Sequence, residues 1–388
     1  MKRQLVAIML SSALAGGAFA ASISLTPPMI SSWAVPLPGG GTQAVPATTI
    51  NTFNSTLGSM FTSLQNSLNS STLSNFGNLP LLSQGFANAN AAAFDNASLL
   101  AFQTYDLFGL MLGSNVSVAA PSVNPNDALQ AFTDIQTKGD IYLGMATGGV
   151  AGQFGLNTSL FIPHVYLSGK FGFIPSFTYT SGSTSVSFQQ MMLGVGVNYT
   201  IFDKFDLLWG FFKWRGLSFG TGLTYNSNTT GVSMAISPMS APPQTFALGI
   251  PGVTDPTVTA SLQNIKATLT VNDSSIVIPL ELMTSLQVLW FLNVGVGGGV
   301  DVAFSNSQIA AGGQSDVIVS GLDTVGAVVT PGSATVTVVD SKATGAVFIP
   351  RLAASLGLNL AIIKIEVPVS YYPTTQAAAV GVNVGIVW

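Results

Sequence analysis

The sequence predicts a transmembrane antiparallel β-barrel of about twelve strands, within a range of roughly ten to fourteen, behind an N-terminal helical or extended region. Three observations carry the prediction. Charged residues are 7% of the 388 residues while hydrophobic residues are 48%, against roughly 25% charge in ordinary soluble domains. No apolar run after the first twenty residues approaches the ~20 residues that a spanning helix needs. From about residue 139 the apolar positions recur with period two, and the intervening positions hold Gly, Ser and Asn. Only helices and closed barrels satisfy every backbone donor and acceptor in lipid, so a charge-poor alternating chain without spanning helices points to the barrel.

Residues 1–20 read as a cleaved secretory signal. Lys2 and Arg3 start it, Leu5 to Leu10 form the apolar segment, and Ala18-Phe19-Ala20 places the cut after Ala20. Residues 21–49 form a Pro/Gly-rich leader with Pro27-Pro28, Pro36, Pro38 and Gly39-Gly40-Gly41. Residues 50–137 read as helical, serving as a plug or as a periplasmic extension. Phe53, Leu57, Met60, Phe61, Leu64 and Leu68 follow helical spacing, with uncharged polar residues opposite. Such a helix suits either a polar lumen or a periplasmic extension. Asn126 is placed to cap a short helix carrying Leu129, Phe132 and Ile135.

Residues 138–388 form the predicted barrel. Leu167, Phe171 and Phe173 alternate with Ser168, Lys170 and Gly172, and Leu193, Val195 and Val197 alternate with Gly194, Gly196 and Asn198. Leu356, Leu358 and Leu360 alternate with Ser355, Gly357 and Asn359. The second parity also carries the strand charges Lys170, Lys266, Asp301, Arg351, Lys364 and Glu366, which are the candidate lumen-facing residues. A charge facing lipid near the bilayer centre costs roughly 2–4 kcal/mol, so parity is strongly enforced. Lys364 and Glu366 share one face and read as a lumen pair that tunes solute selectivity or as a structural ion pair. Aromatics such as Tyr199, Trp209, Trp214, Trp290 and Tyr371 cluster near strand ends, as interfacial girdles do. Residues 238–263 and 305–334 interrupt the alternation and read as exposed loops.

The closing stretch alternates Val380, Val382, Val384, Ile386 and Trp388 with Gly381, Asn383 and Gly385. This pattern resembles the C-terminal signature of bacterial outer-membrane β-barrels. The resemblance implies that Val384, Ile386 and Trp388 form the signal read by the barrel assembly machinery. The expected closure pairs this strand with a first strand near Ile141. Ala87 to Ala93 followed by Phe94-Asp95-Asn96 resembles the N-terminal hatch of FadL-type fatty-acid transporters, although that family's Asn-Pro-Ala element is absent. Met192 to Tyr199 followed by Trp214 to Tyr225 resembles the barrels of spirochaetal surface adhesins, which implies exposed loops that bind a partner.

Other chemistries find little support. A net charge of -4, and no Lys or Arg between Arg3 and Lys138, argue against nucleic acid, whose binding needs clustered positive charge. The absence of cysteine removes disulfides and thiolate metal sites. His164 is the one histidine, sits beside Pro163 and reads as a rim residue. No nucleophile elbow or HExxH helix occurs, so no enzymatic activity, cofactor or metal is expected. The expected partners are outer-membrane lipid, the assembly machinery and a small or hydrophobic solute. The functional expectation is passage of such a solute across the outer membrane. The alternatives are a surface adhesin or structural barrel and, third, a soluble secreted β-protein. The barrel reading predicts heat-modifiable mobility: unboiled protein in detergent runs faster on a gel than boiled protein, whereas a soluble β-protein shows one mobility.

Overall fold

The computed structural model describes residues 21–37, 39–71, 79–93, 107–119, 144–158, 161–207, 211–236, 238–248, 250, 253–322, 327–330, 332–338 and 341–388. The signal segment, Asn126 with its helix, Ile141 and Trp209 lie outside them. Two helices, α1 (Ala47–Ser71) and α2 (Leu79–Ala93), precede the barrel strands. Those strands are β1 (Phe108–Ala119), β2 (Gly144–Asn157), β3 (Val165–Ser181), β4 (Thr184–Phe202) and β5 (Phe212–Ile236). They continue as β6 (Thr257–Val288), β7 (Leu292–Ser320), β8 (Phe348–Leu360), β9 (Ile363–Tyr372) and β10 (Ala377–Val387).

Each strand pairs antiparallel with its neighbour in sequence, and β10 pairs back onto β1. Among the described residues the ring therefore closes on ten strands, the lower end of the predicted range, rather than twelve. The difference has one main source. β6 and β7 are 32 and 29 residues long, so stretches that look like separate segments are single strands.

The closing partner also differs from expectation. Val384 pairs with Leu112 and Val380 with Val116, so the first strand is Phe108–Ala119 and not one near Ile141. This strand falls within the segment 50–137 assigned to helix, and the barrel begins some thirty residues before 138. Leu110, Leu112, Val116 and Val118 alternate with Met111, Gly113, Asn115 and Ser117. The run reads equally as a short apolar helix until a strand is available to pair with it. At the seam, the amides of Leu107 and Phe108 donate to the Trp388 carbonyl at 2.7 and 3.2 Å, and the Trp388 amide donates to Phe108 O at 2.9 Å.

The wall obeys strict parity. Outward positions such as Leu112, Phe171, Val195, Leu223, Leu282, Val296, Leu356 and Val382 are exposed, while their neighbours are buried or half-buried on the interior side. The outward face of β6 is apolar or Thr from Val288 to Ile276, then becomes Ser274, Asn272, Thr270 and Thr268. On β7 it is apolar from Leu292 to Phe304, apart from Gly298, then becomes Asn306, Gln308 and Gln314. Ile276 pairs with Phe304, and Ser274 with Asn306, so the change falls at one level on both strands. About a dozen residues at ~3.3 Å each, tilted by about 40°, span roughly 30 Å. That matches a bilayer's hydrocarbon thickness of ~30 Å, and it makes the ring a membrane-spanning barrel.

The barrel's ends differ in their longest connections, although the short links 182–183 and 373–376 lie at the same end as the long ones. At one end lie the short links 158–164, 203–211, 289–291 and 361–362, together with Trp388. At the other end β6 and β7 run on past the apolar band. Residues 238–263 and 305–334, expected as loops, supply much of these extensions. Their Ser, Thr, Gly and Ala content suits a strand facing water on one side and small neighbours on the other. The extensions pair with the short strands 239–240, 244–245 and 332–338, and 332–338 pairs with 21–26.

On this platform sits a second hydrophobic core. Phe53, Leu57, Met60, Phe61 and Leu64 of α1 pack with Trp33, Val35, Leu248, Val258, Leu262, Val317 and Leu322. Asn54 fixes the helix to the strand Met29–Pro36 by accepting from Ile30 N at 2.9 Å and donating to Ile30 O at 3.1 Å. The helix α1 therefore lies outside the lumen. Its apolar stripe covers an extramembrane sheet, which explains why that stripe is helical and strongly apolar. Deleting Trp388 removes three of the seam's backbone hydrogen bonds. The expected outcome is a several-fold drop in folded, heat-modifiable barrel during refolding into lipid, with the barrel that does fold keeping its ligand or partner specificity.

Candidate functional site

The barrel interior is a polar lumen closed partway along by α2. Ala87, Ala89, Ala91, Ala92 and Ala93 are at most 1% exposed, and Asn88 and Asn90 at most 3%. A helix buried on all sides inside a narrow barrel needs small side chains, and its polar groups need partners. The wall supplies them. Asn90 Oδ1 accepts from Asn226 Nδ2 at 2.7 Å and Asn228 Nδ2 at 2.8 Å, while its Nδ2 donates to Ser275 Oγ at 3.3 Å. Asn88 Oδ1 accepts from Ala346 N at 3.0 Å.

The last carbonyls of a helix lack intrahelical partners, and here side chains of two strands, β1 and β9, reach the final turns. Ser117 Oγ donates to Ala89 O at 2.5 Å, Tyr372 Oη to Ala92 O at 3.2 Å, and Asn115 Nδ2 to Ala93 O. The expectation of a small-residue helix inside the barrel thus falls on α2, while Phe94 to Phe102 lie outside the described residues.

The charge cluster occupies the lumen toward the short-link end. Arg351 on β8 and Glu281 on β6 sit on strands separated by β7, both in register with Gly299. Gly299 has no side chain to block the interior, so Arg351 Nη2 reaches Glu281 Oε2 at 2.5 Å. A Cβ on Gly299 would lie 2.0 Å from Leu280 O and 2.9 Å from the Glu281 Cα, so the glycine is required by the close approach of the two strands. Asp301 Oδ2 lies 3.8 Å from Arg351 Nε.

Lys364 Nζ and Glu366 Oε2 are 2.6 Å apart, two residues along β9 and hence on one face. Lys170 on β3 is 9% exposed and faces the same interior as Glu281. In the interior, Lys170, Arg351 and Lys364 gather with Glu281, Asp301 and Glu366, and Asp273 is buried on the same parity of β6 as Glu281. Lys266 does not join them. It sits past the irregularity between Gln263 and Lys266, above the apolar band, and is exposed. It shares the outward parity of Thr268, Thr270 and Ile276 on β6, at a level where the outer face meets water rather than hydrocarbon.

Glu281 escapes a reading of the sequence that looks only for Gly- and Asn-rich second faces. Its interior neighbours are Pro279 and Met283, and the usable signal is the opposite parity of Ile276, Ile278, Leu280 and Leu282. Val384 and Ile386 lie on the outer face near the seam, and Trp388 closes it. His164 is at the short-link rim, with Nδ1 3.1 Å from Asp203 Oδ1. Among the described residues no group of three or more His, Cys, Asp or Glu side chains gathers.

Fold and lumen together define a plugged membrane-spanning β-barrel. The chain belongs to the Lsa36-like family, whose model matches residues 41–388. No curated protein matches it. Among solved structures it is similar to the translocator domain of the autotransporter NalP from Neisseria meningitidis, at 11% identity over 74% of this chain and 90% of that one, with a TM-score of 0.28. It is similar to Ail, the attachment invasion locus protein of Yersinia pestis, at 7% identity over 73% of this chain and 97% of that one, TM-score 0.24. The toluene transporter TbuX of Ralstonia pickettii shows 10% identity over 73% and 89%, TM-score 0.24. These likenesses are remote.

Removing one partner of a buried pair leaves an uncompensated charge, at a cost of roughly 3–5 kcal/mol. Arg351→Met alone is therefore expected to lower the urea midpoint of the refolded barrel strongly. The double variant Arg351→Met with Glu281→Leu recovers most of the loss, and Lys266→Gln leaves the midpoint unchanged.

Proposed function

We propose that the protein is an outer-membrane barrel that holds a folded domain at the cell surface for contact with a partner. The observation that carries this reading is the overextension of β6 and β7. Both strands continue well past the apolar band and build a platform with its own apolar core on the long-connection side. In outer-membrane barrels short turns are periplasmic and long connections are external, so this polarity directs residues 21–71 and the platform outward. The chain path agrees with it. It passes from the platform into the lumen as α2 and reappears at Leu107, hydrogen-bonded to Trp388 at the opposite end. A lumen filled by α2 and by the ion pairs Arg351–Glu281 and Lys364–Glu366 suits an anchor better than an open pore. Outer-membrane lipid and the barrel assembly machinery are the partners of the barrel itself, and residues 238–263 and 305–334 contribute to the outward platform.

Passage of a solute is the second reading, and the unfilled polar space beside Lys170 and Glu281 favours it. An epitope inserted at Gly40 in the exposed turn 39–41 tests the first. Antibody labelling of intact cells supports surface display, and labelling only after permeabilisation overturns it. For the second, planar-bilayer recordings are expected to show a closed full-length protein and steady conductance once residues 79–93 are deleted. A silent deletion variant argues against a route through the lumen.

A further inference from the structure

One buried charge stands apart from the lumen cluster. Asp273 on β6 is 5% exposed and shares the interior parity of Glu281. At ~3.3 Å per residue it lies roughly 26 Å along the strand from Glu281. It sits just beyond the level of Ile276, where the outer face of β6 turns polar. Among the described residues no Lys or Arg faces it. Its register neighbours are Asn228 on β5 and Ser307 on β7, followed by Gln190 on β4 and by Ala343. The helix α2 carries no charged residue, and Lys342, beside Ala343 in sequence, is exposed.

An ionised carboxylate buried without a counter-charge is costly, and the groups beside this one offer oxygen rather than positive charge. Asn228 is 3% exposed. Its Nδ2 donates to Asn90 Oδ1 of α2 at 2.8 Å, while its Oδ1 has no hydrogen-bond partner. Asp273 Oδ1 has none either. Ser307 is buried and presents its hydroxyl to the carboxylate from the other side. Opposed side chains on neighbouring strands have Cβ atoms about 5 Å apart, so the three residues bring their oxygens within reach of one ion.

Hard cations take such carboxylate, amide and hydroxyl oxygens. A proton would serve one acceptor, whereas an ion engages all three. Charge selects the valence. One carboxylate balances one monovalent ion, and a divalent ion would leave a buried net positive charge in its place. An ion on Asn228 Oδ1 also polarises that amide and strengthens its hydrogen bond to α2.

We infer that Asp273, Asn228 and Ser307 bind a monovalent alkali cation of the size of Na⁺ against the flank of α2. The inference is independent of surface display, since it concerns the lumen alone. Equilibrium dialysis of the full-length refolded protein in detergent, in choline chloride with labelled Na⁺, tests it. Saturable binding of Na⁺ is expected, without displacement by Ca²⁺ at equal ionic strength. Asp273→Asn keeps the shape, removes the charge and should abolish binding, and Ser307→Ala should weaken it several-fold. The urea midpoint of the wild-type barrel should be higher in NaCl than in choline chloride of the same ionic strength, and that of Asp273→Asn should be the same in both. The wild-type comparisons stand whether or not the variants fold. Absence of saturable Na⁺ binding, displacement by Ca²⁺, binding retained by Asp273→Asn, or a wild-type midpoint indifferent to the cation, as a protonated carboxyl would give, overturns the inference.

Discussion

Closure of the sheet is the constraint on which everything else rests. In lipid no water is available to a strand edge, so each backbone donor and acceptor must find another strand. The ten strands meet this demand only because β10 returns to β1, register by register from Ala378–Val118 to Val387–Gly109. Closure fixes which parity is interior, and the interior parity then decides what the lumen can hold. Glycines at Gly194, Gly196, Gly220, Gly222, Gly297 and Gly299 on β4, β5 and β7 reduce the wall's inner side-chain volume. That is the physical reason why a helix and a charge cluster fit inside a barrel of only ten strands.

The lumen solves the problem of buried polarity by pairing. The helix α2 carries alanines where the wall is close and asparagines where the wall offers partners, and β1, β5, β6 and β9 each contribute side-chain hydrogen bonds to it. Arg351 and Glu281 meet across Gly299 because the intervening strand presents no side chain. A buried pair of this kind adds little net stability over an apolar pair of the same shape, but its members are strongly dependent on each other. Such networks therefore fix one arrangement of the interior rather than strengthen it.

The outward reach of β6 and β7 separates two environments on the same strands. Below the level of Ile276 and Phe304 the outer face is apolar because it meets hydrocarbon. Above it, the outer face is Ser, Asn, Thr and Gln because it meets water. The apolar stripe of α1 belongs to this upper region, where it packs with Trp33 and Val258 on strands that the barrel holds in place. One pair of strands thus joins the membrane wall to the extramembrane core, with no hinge between them.

Much of the wall was legible from the chain alone. Period-two alternation needs only local sequence, so the apolar parity, the aromatic rims and the interior positions of Lys170, Asp301, Arg351, Lys364 and Glu366 could be read from the residues themselves. Long-range pairing could not. Phe108–Ala119 reads as strand only once β10 lies beside it, and residues 305–320 read as loop until β6 supplies their partner. Lys266 was misplaced because it lies on the outward parity of β6 above the apolar band, where the outer face meets water and a charge is tolerated, and Glu281 was missed because its importance comes from Arg351, seventy residues away. The sequence by itself determined which side of each strand faces lipid, since that follows from the cost of charge in hydrocarbon. Only the tertiary structure decided the number of strands, the helix chosen to fill the lumen and the core built above the membrane, because each depends on contacts between segments far apart in the chain.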